Sequence, residues 1–283
     1  MIDTHCHLDL HQFDADREAV IERATAAGVR VIINPAIDLA SCERVLALAD
    51  RYPGVYAALG VHPNDCADFT QDTVRTLREL AQHPKVVAIG EIGLDYYWER
   101  VAHDQQQRAL RSQLALAAEL GLPVILHARN AQAPALPDGP SCPAPSCTGN
   151  LLWEIEQWVR QIPTPRAAHD NLSIGVWHAF SGTLQEAQRA YAAGLVLGLG
   201  GPVTFQNARQ LHALVPQLRL DRVVLETDAP YLAPHPHRGQ RNEPAYVPLM
   251  VQSLARLFET TADSVAQMTE ATTRQCFGTR NLF

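Results

Sequence analysis

The sequence predicts a single α/β domain folded as a (β/α)8 TIM barrel, and three observations carry that expectation. Short apolar runs of strand character alternate with longer amphipathic segments, and there are eight such runs. Nearly every run ends in a chemically capable residue, as barrel strands do when their ends converge on one face. The chain has 283 residues and a 47% hydrophobic fraction, enough for one sizeable core spanning 1–283. A doubly wound open sheet is the structural alternative.

The strand runs are 2–7, 29–35, 55–62, 86–92, 124–127, 174–180, 195–199 and 223–228. Between the first two, a helix starts at about Asp16, carries Val20, Ala24 and Ala27 at helical spacing, and stops at Gly28. After the fourth run, residues 103–120 place Leu110, Leu114 and Ala117 on one face and end at Gly121-Leu122-Pro123. Glycine just past a helix and proline beyond it stop the helix for steric reasons. Residues 130–172 break the even spacing and are expected as an insertion between strands 5 and 6. Its Pro/Gly-rich part, 133–149, reads as a loop. The helix at about 150–161 that follows has Leu152, Ile155, Trp158 and Val159 on its apolar face. The insertion is expected above the polar face of the barrel or at its edge, as decoration, a partial lid or an oligomer contact.

Formal net charge is −7, from 23 basic and 30 acidic residues, which argues against a broad basic surface for duplex nucleic acid. A local anion pocket remains compatible with it. No apolar run approaches membrane-span length, so no membrane partner is expected. The first motif begins almost at Met1, leaving no room for a signal peptide, and a cytoplasmic monomer is expected. The six cysteines lack framework spacing and fit a reducing compartment. Cys6 should point into the wall of the fold. Cys142 and Cys147 could pair or form half a zinc site, without a second ligand pair nearby.

The strand ends bear His5 and His7, Asn34, His62, Glu91, His127, His178 and Asp228. Residues two apart on a strand share a face, so His5 and His7 present adjacent imidazoles. With Glu91, His127, His178 and Asp228 they form a nitrogen-and-carboxylate set suited to zinc, manganese or another divalent first-row ion. Two ions a few Å apart need a bridging carboxylate, and Glu91 on the central fourth strand is the natural one. Lys85, the only lysine, lies too far upstream to serve as a carbamylated bridge, and its isolation removes Schiff-base chemistry. Asp228 can bind one ion and accept a proton from an activated water. Glu226 shares its face but lies deeper, as a structural or a catalytic group. Ser181 lacks a triad pattern.

Seven blocks carry a family resemblance. They are Asp3-Thr4-His5-Cys6-His7-Leu8-Asp9, Gly60-Val61-His62-Pro63, Gly90-Glu91-Ile92-Gly93-Leu94-Asp95-Tyr96 and Leu126-His127-Ala128-Arg129, then His178-Ala179-Phe180-Ser181-Gly182, Glu226-Thr227-Asp228-Ala229-Pro230-Tyr231-Leu232 and Arg238-Gly239-Gln240-Arg241-Asn242-Glu243-Pro244. In this order they resemble the TatD family of metal-dependent deoxyribonucleases, within the amidohydrolase-like group. The resemblance implies a barrel holding two divalent ions (Zn, Mg, Mn or Co). It assigns His5, His7, Glu91 and Asp228 to one ion, and Glu91, His127 and His178 to the other. Glu91 and Asp228 would be the catalytic carboxylates. The implied reaction is hydrolysis of DNA phosphodiesters, as trimming of single-stranded ends in the 3′–5′ direction. His62, Arg129, Arg238 and Arg241 would contact substrate, the last two as a phosphate clamp. Family members often carry histidine where this chain has Asn64.

Two other functions are compatible with the same residues: a two-metal hydrolase of a small phosphoester, lactone or amide, and a non-catalytic metal-binding scaffold. His83, His103, His169 and His212 read as solvated, His11 as orienting its loop, and His235 and His237 as flanking the arginine loop. Gly198-Leu199-Gly200-Gly201 lacks the dinucleotide fingerprint and reads as a tight turn.

Overall fold

Runs such as Val31-Ile32-Ile33 and Val55-Tyr56-Ala57-Ala58-Leu59 are apolar on both faces, as strands buried between a barrel interior and a layer of helices must be. In the computed structural model, which describes residues 1–131, 146–162 and 173–278, they form a parallel eight-stranded sheet in sequential order. The strands are β1 (Ile2–Asp3), β2 (Val31–Pro35), β3 (Val55–Leu59), β4 (Val86–Asp95), β5 (Val124–Arg129), β6 (Gly175–Trp177), β7 (Leu195–Leu199) and β8 (Val223–Leu225). Thr4 N–H donates to Leu225 O at 2.9 Å and Asp228 N–H to His5 O at 2.8 Å, and Cys6 bridges Ala229. The sheet thus curls into a barrel.

The helices α1 (Arg17–Ala26), α2 (Leu39–Arg51), α3 (Gln71–Leu80), α4 (His103–Leu120), α5 (Cys147–Gln161), α6 (Leu184–Ala193), α7 (Arg209–Leu214), α8 (Val247–Leu257) and α9 (Ala262–Phe277) surround it. The 103–120 helix forms as expected and ends on Gly121, whose φ of +65° suits a residue without Cβ. Alternation along the strands divides the core in two. One cluster, containing Ile33, Ala58, Ile125, Val196 and Val224, fills the barrel, and Cys276 and Phe277 of α9 join it at the end away from the polar residues. The other, containing Cys6, Leu59, Leu114 and Trp177, lies between sheet and helices. Cys6 therefore does point into the wall. None of the described helices is long and apolar enough to cross a membrane.

Two expectations change. Regular pairing in the 2–7, 174–180 and 223–228 runs stops early, and the ligand-type residues follow in turn and irregular backbone, with Ala179 and Asp228 at φ of 49° and 56°. Departure from the ladder lets side chains fold over the mouth instead of alternating in and out. The helical half of the 130–172 segment is α5, which packs beside α4 and α6 and against β4 and β5 as an ordinary crossover helix. It does not sit over the polar face. Most of the 133–149 loop, with Cys142, and also His169, lies outside the described residues. Cys147 is a buried free thiol whose Sγ contacts Leu94 O at 3.1 Å.

Candidate metal centre

Glu91 stands in the middle of β4 and is 3% exposed, so its charge needs partners on all sides. Its two oxygens face different groups. Oε2 lies 3.4 Å from His5 Nε2 and 3.7 Å from His7 Nε2. Oε1 lies 2.9 Å from His127 Nδ1 and 3.3 Å from His178 Nε2. Asp228 Oδ1 completes the first group, 3.9 Å from His5 Nε2 and 3.7 Å from His7 Nε2, while those two nitrogens are 3.1 Å apart. A tetrahedral ion with bonds of about 2.1 Å sets its donors about 3.4 Å apart, which is the spacing seen here. All six residues expected as ligands therefore meet, and nitrogen and carboxylate donors divided between two oxygens are what a bridging carboxylate needs. The donor set fits divalent metal.

Burial opposes ionisation of Glu91, yet His5 and His178 hold its carboxyl well below the usual range. Burial pushes Asp228 up to about 6, against the pull of His178 and His7. The imidazoles outweigh burial at Glu91, and burial outweighs them at Asp228.

A second layer fixes which nitrogen each histidine presents. His178 Nδ1 lies 3.4 Å from Glu226 Oε1, which also accepts the Ala179 N–H at 2.5 Å. A proton on Nδ1 leaves the Nε2 lone pair facing Glu91. The glycines of the 198–201 run make this possible: a Cβ at Gly198 would sit 2.1 Å from Glu226 Oε2. That run is a slot for Glu226, which holds its carboxylate beside His178. Glu226→Gln is expected to lower metal affinity or activity about 10- to 100-fold while the protein stays folded, read by metal content and hydrolysis rate. Unchanged metal binding and rate would remove Glu226 from that role.

His62 Nδ1 accepts the Asn64 N–H at 3.1 Å, which places the neutral ring's proton on Nε2, 3.9 Å from Glu91 Oε1. His62 is thus a donor to the cavity rather than a ligand in this tautomer. Asp95, not singled out as a site residue in the sequence, receives His127 Nε2 at 3.0 Å and Asn64 Nδ2 at 3.1 Å. Burial raises its pKa, but His127 and the Tyr97 and Trp98 amides bring it to about 2. Its signal was available: Glu91, Gly93 and Asp95 alternate onto one face of β4. Asn34 is no ligand, since it exchanges hydrogen bonds with Asp9 at 2.9 and 3.0 Å and ties down the loop after β1.

These groups line a cavity of about 490 Å3 that also takes in Arg129, Arg100 and Trp98. Arg129 stands where expected; Arg100 and Trp98 were not anticipated. Arg238 and Arg241 do not line it. Arg241 is bound to Asp16 at 2.7 and 2.8 Å and to Gln12 O at 2.8 Å, and Arg238 lies over the Phe205 ring at 4.1 Å. Of the remaining histidines, His83 pairs with Asp50, His103 stacks on Tyr96, His212 meets Val203 O, and His237 stacks on Tyr246. Lys85 donates to Pro53 O, away from the cavity.

Comparison with known proteins shows the family. The family model described as TatD related DNase matches residues 2–278. An uncharacterized metal-dependent hydrolase of Bacillus subtilis, YabD, is 36% identical over 277 residues, covering 98% of both chains. The 3′-5′ ssDNA/RNA exonuclease TatD of Cronobacter sakazakii is 37% identical over 262 residues, 90% of this chain and 89% of that one. The crystal structure of the Escherichia coli TatD homolog YjjV superposes with a TM-score of 0.84 at 35% identity, covering 98% and 97% of the two chains. With the match running across the whole barrel and through every strand that bears a ligand-type side chain, the chain belongs to the TatD-related DNase family.

Proposed function

We propose that this protein is a 3′–5′ exonuclease acting on single-stranded DNA ends with two divalent ions (Zn, Mg, Mn or Co) in the Glu91 site. The observation that carries the reading is the division of donors between the two oxygens of Glu91, in a chain 37% identical to a relative named as a 3′-5′ ssDNA/RNA exonuclease. His5, His7, Glu91 and Asp228 would hold one ion, and Glu91, His127 and His178 the other. Bound there, the pair supplies charge stabilisation to a phosphoryl group and lowers the pKa of water.

The chain's own residues do the rest. Asp228, whose Oδ1 faces the His5 and His7 imidazoles, accepts the proton of the attacking water. His62 Nε2–H donates to a phosphate oxygen. Arg129, beside His127 on β5, neutralises the phosphate charge. The donor set comes from one chain, so a monomer suffices. The described cysteines are all free thiols, which fits the cytoplasm.

End-labelled oligonucleotides test the reading. Mononucleotides should leave the 3′ end of a single strand, the reaction should stop with chelator, and Mn or Mg should restore it. Turnover of a lactone, amide or small phosphoester without strand cleavage would move the site to the small-substrate class, and metal binding without turnover to a scaffold.

A further inference from the structure

The mouth of the cavity has a feature that metal chemistry does not require. Three of the four exposed large hydrophobic side chains among the described residues stand there: Trp98, Tyr231 and Leu232. Trp98 and Tyr231 are each 50% exposed. Trp98 follows β4 and Tyr231 follows β8, strands on opposite sides of an eight-stranded ring, so the two rings stand on either side of the opening. Tyr231 lies 6.5 Å from the His7 ring.

Cations accompany the aromatic group on the β4 side. The Arg129 guanidinium lies 3.9 Å over the Tyr97 ring and 5.4 Å from that of Trp98, and Arg100 lies 5.6 Å over Trp98. Neither arginine has an ion pair among the described residues, unlike Arg241 with its Asp16. Flat apolar faces beside unpaired guanidinium groups match a ligand that alternates flat rings with anionic links. In a duplex the ring faces are covered by neighbouring base pairs; a single strand offers them.

We propose that Trp98, with Tyr231 across the opening, is the platform on which bases of a single strand stack, and that Arg129 and Arg100 hold the adjoining phosphates. The proposal rests on the nuclease reading and names the residues that make it select single strands.

The test uses metal-loaded protein and two strands, one intact and one abasic over its 3′-terminal positions. Wild type should favour the intact strand in kcat/KM by about tenfold or more, the range of a base–aromatic stack. Trp98→Ala should erase that preference through KM, and Trp98→Phe should restore most of it. Metal content and melting temperature report that the variants are folded. An undiminished preference in Trp98→Ala overturns the platform, as does an equal loss on both strands. If wild type cleaves neither strand, the nuclease reading itself fails, and the platform with it.

Discussion

Glu91→Ala is expected to reduce hydrolysis on the order of 10³-fold or more, because withdrawing about 4 kcal/mol of charge stabilisation costs that factor. Among the described residues, Glu91 is the one carboxylate within 4 Å of His5, His7, His127 and His178 together, so its loss separates the two groups. Metal-induced stabilisation should vanish with the activity. Added Mn or Zn should raise the melting temperature of wild type by ligand linkage and leave the variant's nearly unmoved. Inductively coupled plasma analysis and a thermal scan with and without metal are the measurements. A variant that retains full metal content and rate would mean that Glu91 does not bridge.

Gly93→Ala is expected to cost about 3–5 kcal/mol, or roughly 10 °C in melting temperature, through overpacking and backbone strain together. Gly93 pairs with His127 across β4 and β5 and has a φ of +150°. A Cβ there would lie 2.0 Å from the His127 carbonyl oxygen, and a backbone atom cannot swing aside as a side-chain tip can. The two strands must part at the point where His127 is aimed at Glu91, so activity should fall with stability. Gly121→Ala is the control. It also has positive φ, but nothing lies within 4 Å of the added Cβ, and about 1 kcal/mol is expected. Equal losses in the two variants would mean that contact with His127 is not the cause.

Much of the architecture was legible because its signals are local. Apolar runs marked all eight strands, and the spacing of Leu110, Leu114 and Ala117 with Gly121 located α4. The helical part of the 130–172 segment was misplaced because the proline-rich residues before it made it look like part of a cover, whereas α5 occupies a regular place in the helical layer. At the site, the six ligand-type residues were readable because each stands at the polar end of an apolar run, and barrel closure gathers those ends on one face. Asp95 was overlooked because β4 runs four residues beyond Glu91, farther than its apolar pattern reached.

From sequence alone came the barrel, the face on which its polar residues gather, and the cluster of His5, His7, Glu91, His127, His178 and Asp228 that the structure brings together. Periodicity and strand polarity determine all of these, and both are written in neighbouring residues. Only the tertiary structure decided which cations are free to meet a substrate. Arg241 looked suited to phosphate, but folding brings it to Asp16, 225 positions away, and that carboxylate occupies its guanidinium. Arg129 and Arg100 lie over aromatic rings and line the cavity. Pairing of charges depends on which distant residues become neighbours, and no local pattern encodes that.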